Sequence, residues 1–143
     1  MDRSFVEQNK ASRKRLKKLV KGLTKKDMGR KVGADWTVAV ALAHIAFWDR
    51  RVQLILNKTE QAGKLEVIEF DTVLNDVMLP TWELVSGKDA ASLAIETADE
   101  LDKRLETFPP ELLEQVHAHN PRFVVRALHR NEHLDEVDKA LKG

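Results

Sequence analysis

Residues 38–48, Val38-Ala-Val-Ala-Leu-Ala-His44-Ile-Ala-Phe-Trp48, contain no charged side chain and only one polar one. The run is too short to span a bilayer, and its apolar residues show no two-residue alternation. On a helical wheel it is apolar nearly all round, as in a helix sheathed by other helices. The spacing predicts a helix from Thr37 or Val38 to about Asn57.

Working outward, Ser4 to Gly22 carries a second helical pattern. Leu16, Leu19, Val20 and Leu23 form one stripe, and Lys10, Lys14, Lys17 and Lys21 form the opposite, solvated one. Ser4 and Glu7 match a capping box. Thr24 and Asp27 suggest a short turn, and Gly29 and Gly33 break the period. Beyond Asn57 a loop is expected to Glu69. Asp71 can then cap a segment with Val73, Leu74, Val77, Met78 and Trp82, in which Pro80 predicts a kink or break. A further helix is expected from Asp89 to Phe108, stopped by Pro109-Pro110. After a connector, Asn120-Pro121 opens a last helix ending near Leu141.

The expected fold is therefore all-α, a four-helix bundle in one domain spanning residues 1–143. The short link from helix one to helix two favours antiparallel neighbours. The long stretch after helix two permits a crossover connection between helices two and three.

The formal net charge of +1 hides an asymmetry, since residues 1–31 hold twelve Lys/Arg against three acids. Without interleaved aromatics this reads as the wet face of a core helix, so no nucleic-acid partner is expected. No membrane partner is expected either, because no apolar run is long enough for a span or a signal peptide. The absence of cysteine excludes disulfides, thiolate ligands and cysteine nucleophiles, and fits a cytoplasmic protein. A homodimer is compatible with a small bundle.

The residues with chemistry to offer are histidines. His129 and His133 are four residues apart, so their rings share one side of the last helix. On the wheel Arg126, His129, His133, Val137 and Ala140 fall in one sector at the margin of the apolar stripe. His44 lies in the buried helix, where an imidazole must find partners for both nitrogens. Three imidazoles with an open position form a catalytic-type divalent metal site, and a structural zinc would want a fourth protein ligand. His117 and His119 read as surface residues. Glu132 is not placed as in HExxH proteases, since Arg130 follows the first histidine. No nucleophile elbow, phosphate-binding loop or dinucleotide fingerprint is present.

Trp36-Thr37-Val38, Leu42-Ala43-His44-Ile45 and Trp48-Asp49 resemble the helix-two signature of the DinB/YfiT-like superfamily. His129-Arg-Asn-Glu132-His133-Leu-Asp-Glu136-Val137 resembles its closing H-x-x-E-H-x-x-[DE]-[IV] element. The resemblance implies the four-helix bundle with its crossover. It also implies a divalent metal, zinc or nickel, on His44, His129 and His133. Related proteins include the metal-binding domain of mycothiol-dependent maleylpyruvate isomerase and bacterial thiol S-transferases. A small-molecule substrate and a low-molecular-weight thiol are thus implied, with thiol transfer, isomerisation or hydrolysis as the reaction. Thiol transferases of this type follow the second helical histidine with another His and an Arg-Gly-Gln run, whereas this chain has Leu134-Asp135-Glu136.

Two readings stand. In one, a metal-dependent enzyme uses the three histidines, with Asp49 or Glu132 orienting a ligand ring and Arg126 either receiving an anionic substrate group or pairing with Asp49. In the other, a non-enzymatic bundle of resistance type sequesters a reactive small molecule in a pocket lined by Trp36, Trp48 and Trp82.

Overall fold

Thr37 starts the central helix. Its backbone is extended and its hydroxyl accepts the Val40 N–H at 3.2 Å, which caps the first turn. The computed structural model describes residues 1–143, in the order α1 (Phe5–Gly22), α2 (Lys25–Met28), β1 (Lys31–Val32), β2 (Trp36–Thr37), α3 (Val38–Ala62), α4 (Val73–Glu83), α5 (Gly87–Thr107), α6 (Pro110–His119), a 3-10 turn (Pro121–Phe123) and α7 (Ala127–Lys142). The fold is mostly helical. Its one sheet is the β1–β2 hairpin, in which Val32 faces Trp36.

The expectation for α3 holds at its centre, where Val38, Val40, Ala41, Leu42 and Ile45 are all buried. The helix runs five residues past Asn57 and stops at Gly63, whose φ of 69° is the left-handed conformation of a helix stop. Buried Thr59 holds the extra turn, its hydroxyl accepting the Glu66 N–H at 3.1 Å.

Side-chain pairs show how the long helices run. Ala39 and Ala91 line one cavity, and Arg104 donates to Asn57 at 2.7 Å, so α3 and α5 share both ends and are parallel. Asn9 reaches Val124 and Ala127 while Arg15 reaches Asn131 and Asp138, so α1 and α7 are also parallel. Arg3 on Glu106 and Arg13 on Asp102 set α1 antiparallel to α5. Neighbours therefore follow the ring α1–α5–α3–α7. Helices one and two of the sequence were expected side by side, but α1 packs mainly on α5 and α7. The chain from Leu23 to Thr37, with α2 and the hairpin, is long enough to carry α3 across.

Local corrections have local causes. Ser4 does not cap α1: its own backbone is helical, and its N–H and hydroxyl both donate to Asp2. The capping box forms instead at Thr24 and Asp27. Thr72 precedes α4, and the Asp71 carboxylate accepts the Val73 N–H at 2.9 Å. Helix α4 continues through Pro80 for one last turn to Glu83. The expected connector after Pro110 is helix α6, which buries Leu113 and Val116. Asn120 caps the 3-10 turn through the Arg122 N–H, and α7 begins only at Ala127. On α1 the four lysines are exposed and Leu16 is buried, with Leu19, Val20 and Leu23 half-buried.

Charge at the centre joins the helices. Arg130 of α7 is 0% exposed, with Nε donating to Asp49 Oδ2 at 2.9 Å and both terminal nitrogens on Asp102, at 2.8 and 2.9 Å. Arg126 donates to the other Asp49 oxygen at 2.8 Å, and Arg13 of α1 donates to Asp102 at 2.6 Å. Burial disfavours the charge on Arg130, but the Asp49 and Asp102 carboxylates outweigh it and hold the guanidinium above its ordinary pKa.

Breaking such a buried pair leaves a carboxylate without its partner. Arg130→Met should lower stability by about 3–5 kcal/mol in urea unfolding at pH 7. A loss no larger than that of a surface substitution would show that the cluster does not hold the helices together.

Candidate metal centre

His44 enters the interior because α3 is apolar around it. His129 and His133 approach from the first two turns of α7, the helix that the Asp49 ion pairs fix against α3. His44 Nε2 lies 3.1 Å from His129 Nε2 and 2.9 Å from His133 Nε2. His44 is buried and the other two are half-buried. Three aromatic rings enclose the group. Trp36 stands 4.5 Å from the His44 ring and 5.7 Å from that of His133, with Trp82 at 5.4 Å and Trp48 at 6.3 Å from His44.

The outer nitrogens differ. His129 Nδ1 accepts from Arg126 Nη2 at 3.3 Å. His133 Nδ1 lies 2.7 Å from Glu136 Oε1, off the axis of a good hydrogen bond, and His44 Nδ1 is buried without a partner. Neutral imidazole has one N–H and one lone pair. Arg126 calls for a lone pair on His129 Nδ1, which puts that ring's proton on Nε2, facing His44. His44 Nε2 must then accept, so His133 Nε2 must donate. That leaves a bare His133 Nδ1 against the Glu136 carboxylate. His44 Nε2 would then take two donors on a single lone pair, while its own Nδ1–H stays buried without a partner.

A cation at the common focus fits the set better. Nitrogens that share an ion at about 2.0–2.1 Å in tetrahedral geometry stand roughly 3.3 Å apart; His44 Nε2 lies within 3.1 Å of each partner, and the three ligand atoms all lie within 4.8 Å of one another. All three Nε2 lone pairs would then point inward, and His133 would keep an N–H toward Glu136. Only the Arg126–His129 contact, the longest of the four, would have to give way. Burial, followed by the charge of His133, pushes the His44 pKa down to about 3. Burial, with Arg126 next in weight, holds His129 well below the ordinary histidine value. Both rings are thus kept in the unprotonated form a metal requires.

A family model described as the DinB superfamily matches residues 8–134, a span that contains all three histidines. The chain belongs to the DinB superfamily. No curated protein and no solved structure matches it significantly.

The other candidate residues of this DinB-superfamily chain fall in different places. Asp49 touches no histidine and serves the ion cluster, while Arg126 bridges that cluster to His129. Arg126 is almost wholly buried and also donates to the Arg122 carbonyl, so its hydrogen bonds go to the protein's own groups. Glu132 pairs with Arg122 at 3.0 Å on the surface and is turned away from the rings. Trp48 borders the group and donates to Asn75 at 2.8 Å. Sequence reasoning missed Arg130, Asp102 and Glu136. For Arg130 a signal existed, since on the wheel it lies between Val137 and Leu134, inside the buried stripe.

The depressed histidines carry a pH dependence with a definite sign. Below about pH 6.5 the unfolded chain takes up protons on these rings that the folded chain refuses. Stability of the metal-free protein should therefore fall as pH drops from 6.5 toward 5, by up to about 1.4 kcal/mol per pH unit for each ring. Urea unfolding in chelator at several pH values checks this, and the slope should flatten in the double variant His44→Gln, His129→Gln.

Proposed function

We propose that the protein binds one divalent metal ion, zinc or nickel, through His44, His129 and His133, and acts with it on a small molecule. The observation that carries this reading is the convergence of three Nε2 atoms, with His44 Nε2 within 3.1 Å of both partners. Three ligands leave coordination positions open, which suits a reacting site better than a structural one. When bound, such an ion supplies the positive charge that lowers the pKa of a coordinated water or thiol. Thiol S-transfer, isomerisation and hydrolysis are the reactions consistent with that chemistry, and a low-molecular-weight thiol is the proposed co-reactant for the first.

The chain's own side chains do the positioning. Arg126 holds the outer nitrogen of His129 in the metal-free protein, a contact that would give way when the ion binds, and the Asp49 carboxylate keeps Arg126 in place throughout. Glu136 stands beside the outer nitrogen of His133, where a carboxylate orients a ligand ring and strengthens it as a donor. Trp36 and Trp82 pack on His44 and keep bulk water from that side. The parallel α3 and α5, linked by the long segment that includes α4, support a four-helix bundle with a crossover between its second and third long helices.

The tryptophans around His44 also favour a second reading, in which the ring-bordered site only sequesters a reactive compound. Catalytic turnover in excess of protein would separate the two.

Calorimetric titration of the untagged protein with zinc and nickel tests the centre. His44→Ala, His129→Ala and His133→Ala should each weaken binding by more than the roughly 10–100-fold typical of losing an outer partner. The two α7 variants should remain folded by circular dichroism, because their rings are only half-buried. Unchanged affinity in either would reduce the HxxxH spacing to a coincidence.

A further inference from the structure

Beside His129 the surface opens into a small cavity of about 140 Å³, bordered by Trp48, Arg51, Arg122, Phe123 and Arg126. Three arginines thus border one space that also touches a histidine of the triad. Their charges are not equally compensated. Arg126 shares Asp49 with Arg130, and Arg122 pairs with Glu132. Arg51 forms no ion pair. Its Nη2 donates to the Ile68 carbonyl at 2.9 Å, and its Nε is buried without any partner. Burial acts against the Arg51 charge, and the more distant Glu69 offsets this only in part.

The guanidinium is nonetheless held firmly. It lies over the rings of Phe123 at 4.9 Å and of Trp48 and Phe70 at 5.4 Å each. Aromatic contacts occupy the faces of the group and leave its edge as the free, polar part. The terminal nitrogens keep N–H donors beyond the one given to Ile68, and a guanidinium so placed suits a carboxylate. The volume equals that of four or five water molecules at about 30 Å³ each, room for one small anionic group and not for a whole drug-sized ligand.

The geometry points to this cavity as the subsite for a carboxylate carried by the substrate, received by Arg51 with help from Arg122, while the rest of the substrate lies at the triad. The assignment of the ligand as a substrate rests on the metal-centre reading above; the anion subsite itself rests on the arginines. The substrate class is then a small carboxylic acid, or a thiol conjugate that bears one, bound with its carboxylate away from the metal. Arg126 acts here as a positioning residue, since its own hydrogen bonds go to Asp49, Arg122 and His129.

Trp48 borders the cavity, so its fluorescence reports occupancy. The test is a titration with sodium acetate and, separately, inorganic phosphate at constant ionic strength, on metal-free and zinc-loaded protein. Wild type should give a saturable response to acetate. Arg51→Gln should weaken it about tenfold or more, the loss expected for a charge-assisted hydrogen bond, and Arg122→Gln should weaken it less. Arg104→Gln, remote on the α3–α5 face, should leave it unchanged, and zinc affinity measured by calorimetry should be the same in Arg51→Gln as in wild type. Acetate affinity indifferent to both Arg51→Gln and Arg122→Gln overturns the subsite, and tighter binding of phosphate overturns the carboxylate assignment. If wild type binds no zinc yet binds acetate through Arg51, the metal reading fails while the anion subsite stands. If zinc binds and acetate does not, the subsite alone fails.

Discussion

Everything about this molecule's interior depends on where Arg130 sits. A fully buried guanidinium bonded to both Asp49 and Asp102 ties α7 to α3 and α5 at once, and Arg13 brings in α1. Hydrophobic packing alone sets helices side by side but tolerates a shift along the axis. Directional ion pairs do not, because a slip of one turn moves every donor by about 5.4 Å. The same register delivers the chemistry. His44 precedes Asp49 by five residues on α3, and His129 stands between Arg126 and Arg130 on α7. When the arginines meet their carboxylate, the imidazoles meet each other.

Charge inside a protein is a poor source of net stability, because desolvation consumes most of the attraction. Its use here is specificity of alignment. The pairs run between helices far apart in the chain, with separations of 77 and 81 residues from Asp49 to its two arginines. Arg126 then carries that alignment outward to His129. A rigid ion cluster thus lies directly behind a group of rings whose hydrogen-bond needs conflict. Such a conflict is tolerable where the surrounding structure over-determines the positions, and it is a recurrent mark of a binding site.

The sequence displayed the centre better than its support. His44 stood out as the one polar group among eleven positions, and His129 and His133 as a helical pair, so the triad was legible from spacing alone. The cluster behind it was not, since lysine and arginine default to the surface and Asp49 is followed by Arg50 and Arg51, as on any wet helix face. Arg130 was hidden by its chemistry although its wheel position was apolar. Helix α6 was masked by the prolines before and after it, of which Pro110 simply occupies the first turn where proline is at home. The end of α3 was lost because Lys58 to Gln61 is polar throughout, and the burial of Thr59 depends on a loop that folds back on it. The ring order of the long helices could not be read from connection lengths, which allowed α3 to lie beside α1 or across from it.

The triad joins residues 85 and 89 positions apart. At a synthesis rate of roughly 5–20 residues per second, about 4–17 seconds separate the emergence of His44 from that of His129. During most of that interval His44 has neither of its two partner histidines, and Asp49 lacks the arginines that neutralise it. The nascent chain therefore presents a helix with an apolar first half, an Asp49 still in water and no place for a tightly held ion. An ion shared by His44, His129 and His133 could be held only once α7 has docked, so its uptake would follow folding and not accompany synthesis.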